Sequence, residues 1–318
     1  DMAVQDSELP AETVNTWLGR PWVQTVTLES RQKVQAMRRD ALAGWRAEAE
    51  TDLLVAWAPP ELVASLCERE PWLRLFLAAA DDLGLADLGR GPGAFLTYGE
   101  GEVPGGLWAD GAVAPLDLAT ITEDATHAWL AGDAPLHPAR GLTEPWADRP
   151  GAYSWNKAPR LVGRVVETGA VARRLLAGQP LVRDLVARHG GSVLTRVLAR
   201  LLELAGGVLR MRALLDTLRP GEPWCIDAPL PEMGAACGLA EAARGALGHW
   251  VALRNGRLAH YQIVAPTSWN FSPRDAGGRP GALESALVGA PVRRGETTPV
   301  AVQHIVRSFD PCMVCTVH

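Results

Sequence analysis

The sequence predicts a mainly α fold of the α+β class, a helical body carrying a small β-hairpin layer near the C-terminus. Leucine, valine and arginine recur at helical spacing from Ala158 to Leu218. In residues 249–264, HWVALRNGRLAHYQIV, two apolar alternating runs meet at Asn255-Gly256. That dipeptide suits a tight primed turn, whose two central residues both need positive φ. With 47% hydrophobic and 21% charged residues among 318, the chain can fill a substantial core.

Taken in order, Ser30 to Trp57 alternates charged and apolar positions with no glycine before Gly44 and reads as one or two helices. A second helical run covers Pro60 to Leu83. Glycine and proline become frequent between Gly89 and Ala114, around Phe95-Leu96-Thr97-Tyr98-Gly99, which predicts short strands and turns. Asp117 opens a helix expected through Ala131, and a loop rich in proline and glycine follows to Gly151. Breaks near Gly178-Gln179-Pro180 and Gly190-Gly191 divide the long helical stretch into a bundle. After the hairpin come a proline-bounded loop, Ala265-Pro266-Thr267-Ser268-Trp269-Asn270, and a helix from Pro280 to Val288. A last helix, Pro299 to Ser308, leads to the tail Asp310-Pro311-Cys312-Met313-Val314-Cys315-Thr316-Val317-His318, expected to be buried where helices and hairpin meet.

The net charge of −5 offers no broad basic face, so nucleic acid is not expected as a partner. No run of about 18 uncharged apolar residues exists and the first residues lack a basic-then-apolar order, so no membrane association and a cytoplasmic location are expected. Five cysteines are too few and too scattered for a disulfide framework. Cys67 falls in a helical stretch and reads as a small buried hydrophobe, and Cys225 and Cys237 are isolated too.

Cys312 and Cys315 are the exception. Their C-x-x-C spacing in a turn aims both sulfurs at one centre, and thiolate is the right donor for iron, nickel or zinc. Zinc needs a second ligand pair, which Cys225 and Cys237, twelve apart, do not supply at the usual spacing. A redox pair would open a helix after a strand, whereas this one follows a helix.

Ser308-Phe309-Asp310-Pro311-Cys312, with Cys315 and His318 at further steps of three, resembles the C-terminal signature of nickel-iron hydrogenase large subunits. Pro266-Thr267-Ser268-Trp269-Asn270-Phe271-Ser272-Pro273-Arg274-Asp275 is similar to that family's loop beside its metal centre. Glu241-Ala242-Ala243-Arg244-Gly245-Ala246-Leu247-Gly248-His249-Trp250 is similar to its arginine-bearing segment. Leu136-His137-Pro138 and Tyr153-Ser154-Trp155-Asn156-Lys157-Ala158-Pro159-Arg160 also match. The resemblance implies a hydrogenase-large-subunit-like domain over residues 95–318, a helical bundle with the hairpin layer and a metal-binding tail. Residues 1–94 read as a diverged, shortened N-terminal helical region.

In the family so resembled, four thiolates hold nickel, and two of them bridge to an iron carrying two cyanides and one carbon monoxide. By position Cys312 matches a terminal nickel ligand and Cys315 a bridging one. Arg244 and Thr267 match residues that donate hydrogen bonds to the iron's small ligands, and Asp310 the carboxylate paired with that arginine. A cyanide nitrogen in a dry site needs such donors. His318 matches a histidine that binds a structural magnesium or iron. Cys237, seven positions before Arg244, is a candidate extra thiol, while His127, His137 and Trp155 read as packing groups. An arginine-cysteine-glycine-x-cysteine motif and an early acidic motif, the other half of both metal sites, are not found, which leaves magnesium unsupported. A kept iron pocket without the second cysteine pair resembles maturation scaffolds of the HoxV/HupK type. That resemblance implies a non-catalytic chaperone, not an enzyme, holding iron with two cyanides and carbon monoxide transiently on Cys312 and Cys315, without nickel. The implied partners are the small hydrogenase maturation chaperone, the iron-fragment assembly complex and the apo hydrogenase large subunit. A shortened catalytic large subunit and a metal-free binding paralogue are the alternatives.

Overall fold

The computed structural model describes residues 71–312, apart from residues 102, 224, 226–228 and 230. The helical segment expected over Ser30–Trp57, and the first part of the run from Pro60, lie outside the described residues. Pro71–Asp82 forms helix α1. The glycine- and proline-rich segment folds into the short strands β1 (Phe95–Thr97), β2 (Gly106–Ala109) and β3 (Ala112–Ala114), as expected.

Asp117 does not open a long helix. Its side chain accepts from the Ala119 amide at 3.0 Å and caps one 3-10 turn, Leu118–Thr120. Ile121–Asp124 then becomes β4 and pairs antiparallel with β5 (Ala158–Leu161). The consecutive β-branched residues Thr120, Ile121 and Thr122 favour strand over helix, and their partner strand is too distant in sequence for local periodicity to register. Strand β5 also delays the helical stretch, which begins at Ala170 instead of Ala158. Strand β6 (Glu167–Thr168) joins β1 in parallel to complete a four-stranded sheet of order β3-β2-β1-β6. Helices α2 (Ala170–Leu176), α3 (Pro180–His189) and α4 (Val193–Thr217) follow, divided at the two expected glycine breaks. Gln179 and Ser192 cap the second and third by accepting from the Val182 and Thr195 amides.

The hairpin is part of a larger sheet. Strand β7 (Met233–Ala242) pairs along the length of β8 (Gly245–Arg254), which Asn255 (φ 54°) and Gly256 (φ 66°) join to β9 (Arg257–Val264). The glycines and alanines of β7 have little strand propensity, which hides it from sequence reading. The expected loop at 265–270 contains a short helix, α5 (Pro266–Asn270). Helices α6 (Ala282–Leu287) and α7 (Val300–Ser308) end the described chain close to their expected bounds. The fold is thus α+β, with three sheets among the described residues.

Strand β1 lies between two cores, because successive strand residues face opposite ways. Phe95 enters a cluster with Val171, Leu175, Leu185 and Leu198 of α2–α4, while Leu96 joins Ile121, Leu161, Trp250, Val264 and Trp269 between the sheets. A third cluster ties α1, α6 and α7 to the start of α4 through Ala80, Ala282, Ile305 and Val193. The irregular segment after α5 is held by Arg160 of β5, only 3% exposed. Its Nε donates to Asp275 at 2.9 Å, and its terminal nitrogens donate to Ser272 Oγ and to the carbonyls of Pro159, Pro273 and Arg279. All five guanidinium hydrogens find acceptors.

Burial works against the charge of Asp275, but hydrogen bonds from Arg160 and the Arg279 backbone outweigh it and hold its carboxyl below the usual range. A folded pKa below the unfolded value contributes stability above about pH 4, and that stability is lost as the pH falls through the folded value. Asp275→Asn is therefore expected to destabilise by roughly 3 kcal/mol at neutral pH, since it leaves a buried guanidinium unpaired. Urea unfolding from pH 7 down to pH 3 should show the gap between wild type and variant closing below pH 4.

Candidate metal centre

Groups from four elements place Cys312. Helix α7 ends at Ser308, whose hydroxyl accepts from Arg196 at 3.2 Å and whose carbonyl accepts from Arg200, both on α4. Arg196 is buried and forks onto Glu167 of β6 at 2.7 and 2.9 Å, and its guanidinium carbon lies 3.6 Å from the centre of the Phe309 ring. Phe309 also meets Phe271 edge-on at 6.3 Å. Asp310 then takes φ 54°, a left-handed conformation that aspartate tolerates better than most side chains, and turns the chain off the helix. Two residues on, the Cys312 amide donates to Thr267 Oγ1 at 3.3 Å. Thr267 is buried in α5, which Asn270 fixes by exchanging two 2.9 Å bonds with the backbone of Thr168.

Arg244 occupies the two-residue turn between β7 and β8. Its Nε lies 3.9 Å from Asp310 Oδ2 at the edge of a cleft that Arg200 and Asn270 also line. Both side chains of this pair are 43% exposed, so the attraction is weak, on the order of 0.2–1 kcal/mol, and orients more than it stabilises. Burial lowers the Arg200 pKa; the Asp310 carboxylate opposes this and Arg196 reinforces it. Arg196, Arg200 and Arg244 against Glu167 and Asp310 leave the cleft with an excess positive charge.

Of the residues singled out by motif, the structure gathers Arg244, Thr267, Asp310 and Cys312. Cys315, His318 and Cys67 lie outside the described residues. Cys237 stands exposed on β7 opposite Trp250 and does not line the cleft, and Cys225 is exposed as well. His127 meets the Arg274 carbonyl at 2.9 Å, and both nitrogens of His137 are engaged, with the Ala139 amide and the Leu118 carbonyl. Trp155 packs edge-on against Trp129. Motif reading missed Arg196, Arg200 and Glu167. Arginines one helical turn apart among leucines look like solvated charges, and a two-residue strand carries no periodic signal. Among the described residues no three His, Cys, Asp or Glu gather as a metal site. The thiols of Cys312 and Cys315 are donors of the kind that suits a soft transition metal.

Comparison with known proteins gives a consistent outcome. The family described as nickel-dependent hydrogenase matches residues 97–318. The chain is 35% identical over 264 residues to the Hydrogenase-1 large chain of Citrobacter freundii, covering 68% of this chain and 44% of that one. With the Hydrogenase-1 large chain of Escherichia coli K12 it shares 33% identity over 309 residues, 81% of this chain and 51% of that one. It spans about half the length of these relatives. The H2-activated [NiFeSe]-hydrogenase of Desulfomicrobium baculatum matches with a TM-score of 0.71 at 28% identity, covering 88% of this chain and 60% of that one. The Ni-Fe-Se hydrogenase of D. vulgaris Hildenborough gives 0.69 at 29% identity, with 82% and 62% covered.

Relatives named as hydrogenases overturn the expectation of a non-catalytic maturation scaffold. The expectations that the protein is not an enzyme and lacks nickel fall with it, as do the proposed partnerships with maturation chaperone, assembly complex and apo large subunit. All of them rested on a missing cysteine pair, and in a chain spanning half of its relatives a missing motif has no weight.

Arg196→Met leaves the Glu167 carboxylate buried without its partner, at an expected cost of about 3–5 kcal/mol. Adding Glu167→Gln should recover part of that loss. Equilibrium unfolding of both variants checks this; a double variant no more stable than the single one would speak against this pair as the anchor of the end of α7.

Proposed function

The chain belongs to the nickel-dependent hydrogenase family, and on that premise we propose that it acts as a hydrogenase large subunit whose Cys312 and Cys315 carry part of a nickel–iron centre. The observation that supports this most directly is the Cys312 amide tied to the Thr267 hydroxyl beside the Arg244–Asp310 pair, all within the matched residues. A smaller companion subunit is the partner this reading calls for, since the relatives are large chains.

When bound, a nickel–iron centre supplies a redox-active Lewis acid at which dihydrogen is split into protons and electrons. The chain's own residues hold and aim it. Thiolates at Cys312 and Cys315 would serve among its ligands, and a thiolate sulfur is also a base able to take a proton. The Thr267 oxygen is used as acceptor by the Cys312 amide, which leaves its O–H as a donor that would be offered to polar ligands of the bound centre. Arg244 donates from the β7–β8 turn, with Asp310 restricting how its guanidinium swings. The neighbouring cleft, lined by Arg244 and Asp310 but not by Cys312 or Thr267, carries an excess positive charge that favours anions.

Protein purified from a host with active hydrogenase maturation is expected to contain nickel and iron and to reduce a viologen dye under dihydrogen. Cys312→Ala and Cys315→Ala should each abolish nickel binding and dye reduction while leaving the circular dichroism spectrum intact. Wild-type protein from that host without nickel would overturn the proposal.

A further inference from the structure

We infer that Arg173 of α2 is a positioning residue for Arg244. Arg244 has little of its own to hold it: its side chain is half-exposed and its ion pair with Asp310 is long. Its direction is therefore set by the backbone of the turn that carries it. Arg173 grips that backbone directly. Its Nη1 donates to the Ala242 carbonyl and its Nη2 to the Ala243 carbonyl, each at 2.9 Å.

The grip is rigid because Arg173 is itself fully engaged. Nε and Nη2 fork onto Glu203 of α4 at 2.7 and 2.6 Å, and Nη1 also reaches Glu241 of β7 at 2.9 Å. Five donors thus meet five acceptors on a side chain that is 91% buried, with 9% of it exposed. Burial works against its charge, but the bonds to Glu203 and Glu241 more than offset this and raise its pKa. Glu241 in turn accepts from the Tyr98 amide at 2.7 Å, so the turn is tied to β1 as well as to α2 and α4. From the opposite side Thr168 Oγ1 accepts from the Ala246 amide at 2.8 Å. A Cβ on Gly245 would come within 2.5 Å of that same oxygen, so the turn sits closed between Arg173 and β6. Lysine cannot replace the fork, since an ammonium is a point charge with three donors and no planar geometry.

The geometric part of this inference stands alone; its functional consequence rests on the role proposed for Arg244. Two measurements separate them. In metal-free protein, Arg173→Lys is expected to speed hydrogen exchange at the Ala246 amide by about tenfold or more, as loss of bonds to a charged donor would. Amides of β8 beyond Trp250 should keep their rates. Unchanged exchange at Ala246 in a folded variant overturns the inference. Should Arg173→Lys fail to fold, Glu203→Gln loosens the same guanidinium from partly exposed ground, and it must speed exchange at the same amide or the inference is overturned. In metal-loaded protein, Arg173→Lys and Arg244→Ala should each lower kcat without lowering nickel content, and the double variant should be no worse than Arg244→Ala. Losses that multiply would mean that the two arginines act independently. Absence of nickel from the wild type would sink the hydrogenase reading, with the exchange result still deciding the part played by Arg173.

Discussion

Two charges taken out of water, on Arg196 and Glu167, hold the end of α7 to the rest of the molecule. Desolvating a pair of ions costs several kcal/mol for each, and only good geometry with further hydrogen bonds offsets it. Here the fork is bidentate, the Gly89 carbonyl and Ser308 hydroxyl take further donors, and the Phe309 ring covers the guanidinium face. Because Arg196 stands on the long helix α4 and Glu167 on the central sheet, Ser308 and Phe309 share the rigidity of both. Cys312 is reached from that fixed point in three residues.

The same device recurs at two other irregular segments. Loops leave carbonyls without partners, and a buried orphan carbonyl is costly. A guanidinium brings five donors and no acceptor. Arg160 answers the carbonyls of Pro159, Pro273 and Arg279, Arg173 those of Ala242 and Ala243, and Arg196 that of Gly89. Each of the three also pairs with a carboxylate, so the charge is neutralised where it is buried. The segments around the candidate centre therefore keep a fixed shape with little secondary structure of their own.

Much of the site could be read from motifs: Thr267, Arg244, Asp310 and Cys312 are neighbours of proline, glycine or each other in patterns with few alternative meanings. The glycine breaks at 178–180 and 190–191 and the Asn255-Gly256 turn were equally legible, because each dictates a local backbone geometry. Strand β4 was not, because its β-branched residues are few and its partner β5 lies more than thirty residues away in sequence. Strand β7 was hidden by its alanines and glycines. Arg173 and Arg196 look like surface charges until the fold supplies Glu203, Glu241 and Glu167 from other elements. The functional misreading had a different origin: it drew a loss of nickel from a motif that was not found, whereas residues that are present constrain chemistry far better.

The left-handed turn at Asp310 makes one torsion angle into the shaft of a lever. Cys312 lies two residues beyond it, an arm of at most about 7 Å at extended-chain spacing. Ligand distances at a metal site tolerate errors of about 0.2 Å. Dividing one by the other, rotation about that single bond has to be reproducible to roughly two degrees if the sulfur is to land where a metal can use it. Side-chain packing under Phe309 and the Thr267 contact at the far end clamp the lever on both sides of its pivot. Alignment of the sulfur is thus a matter of mechanical tolerance, set by parts other than the thiol itself.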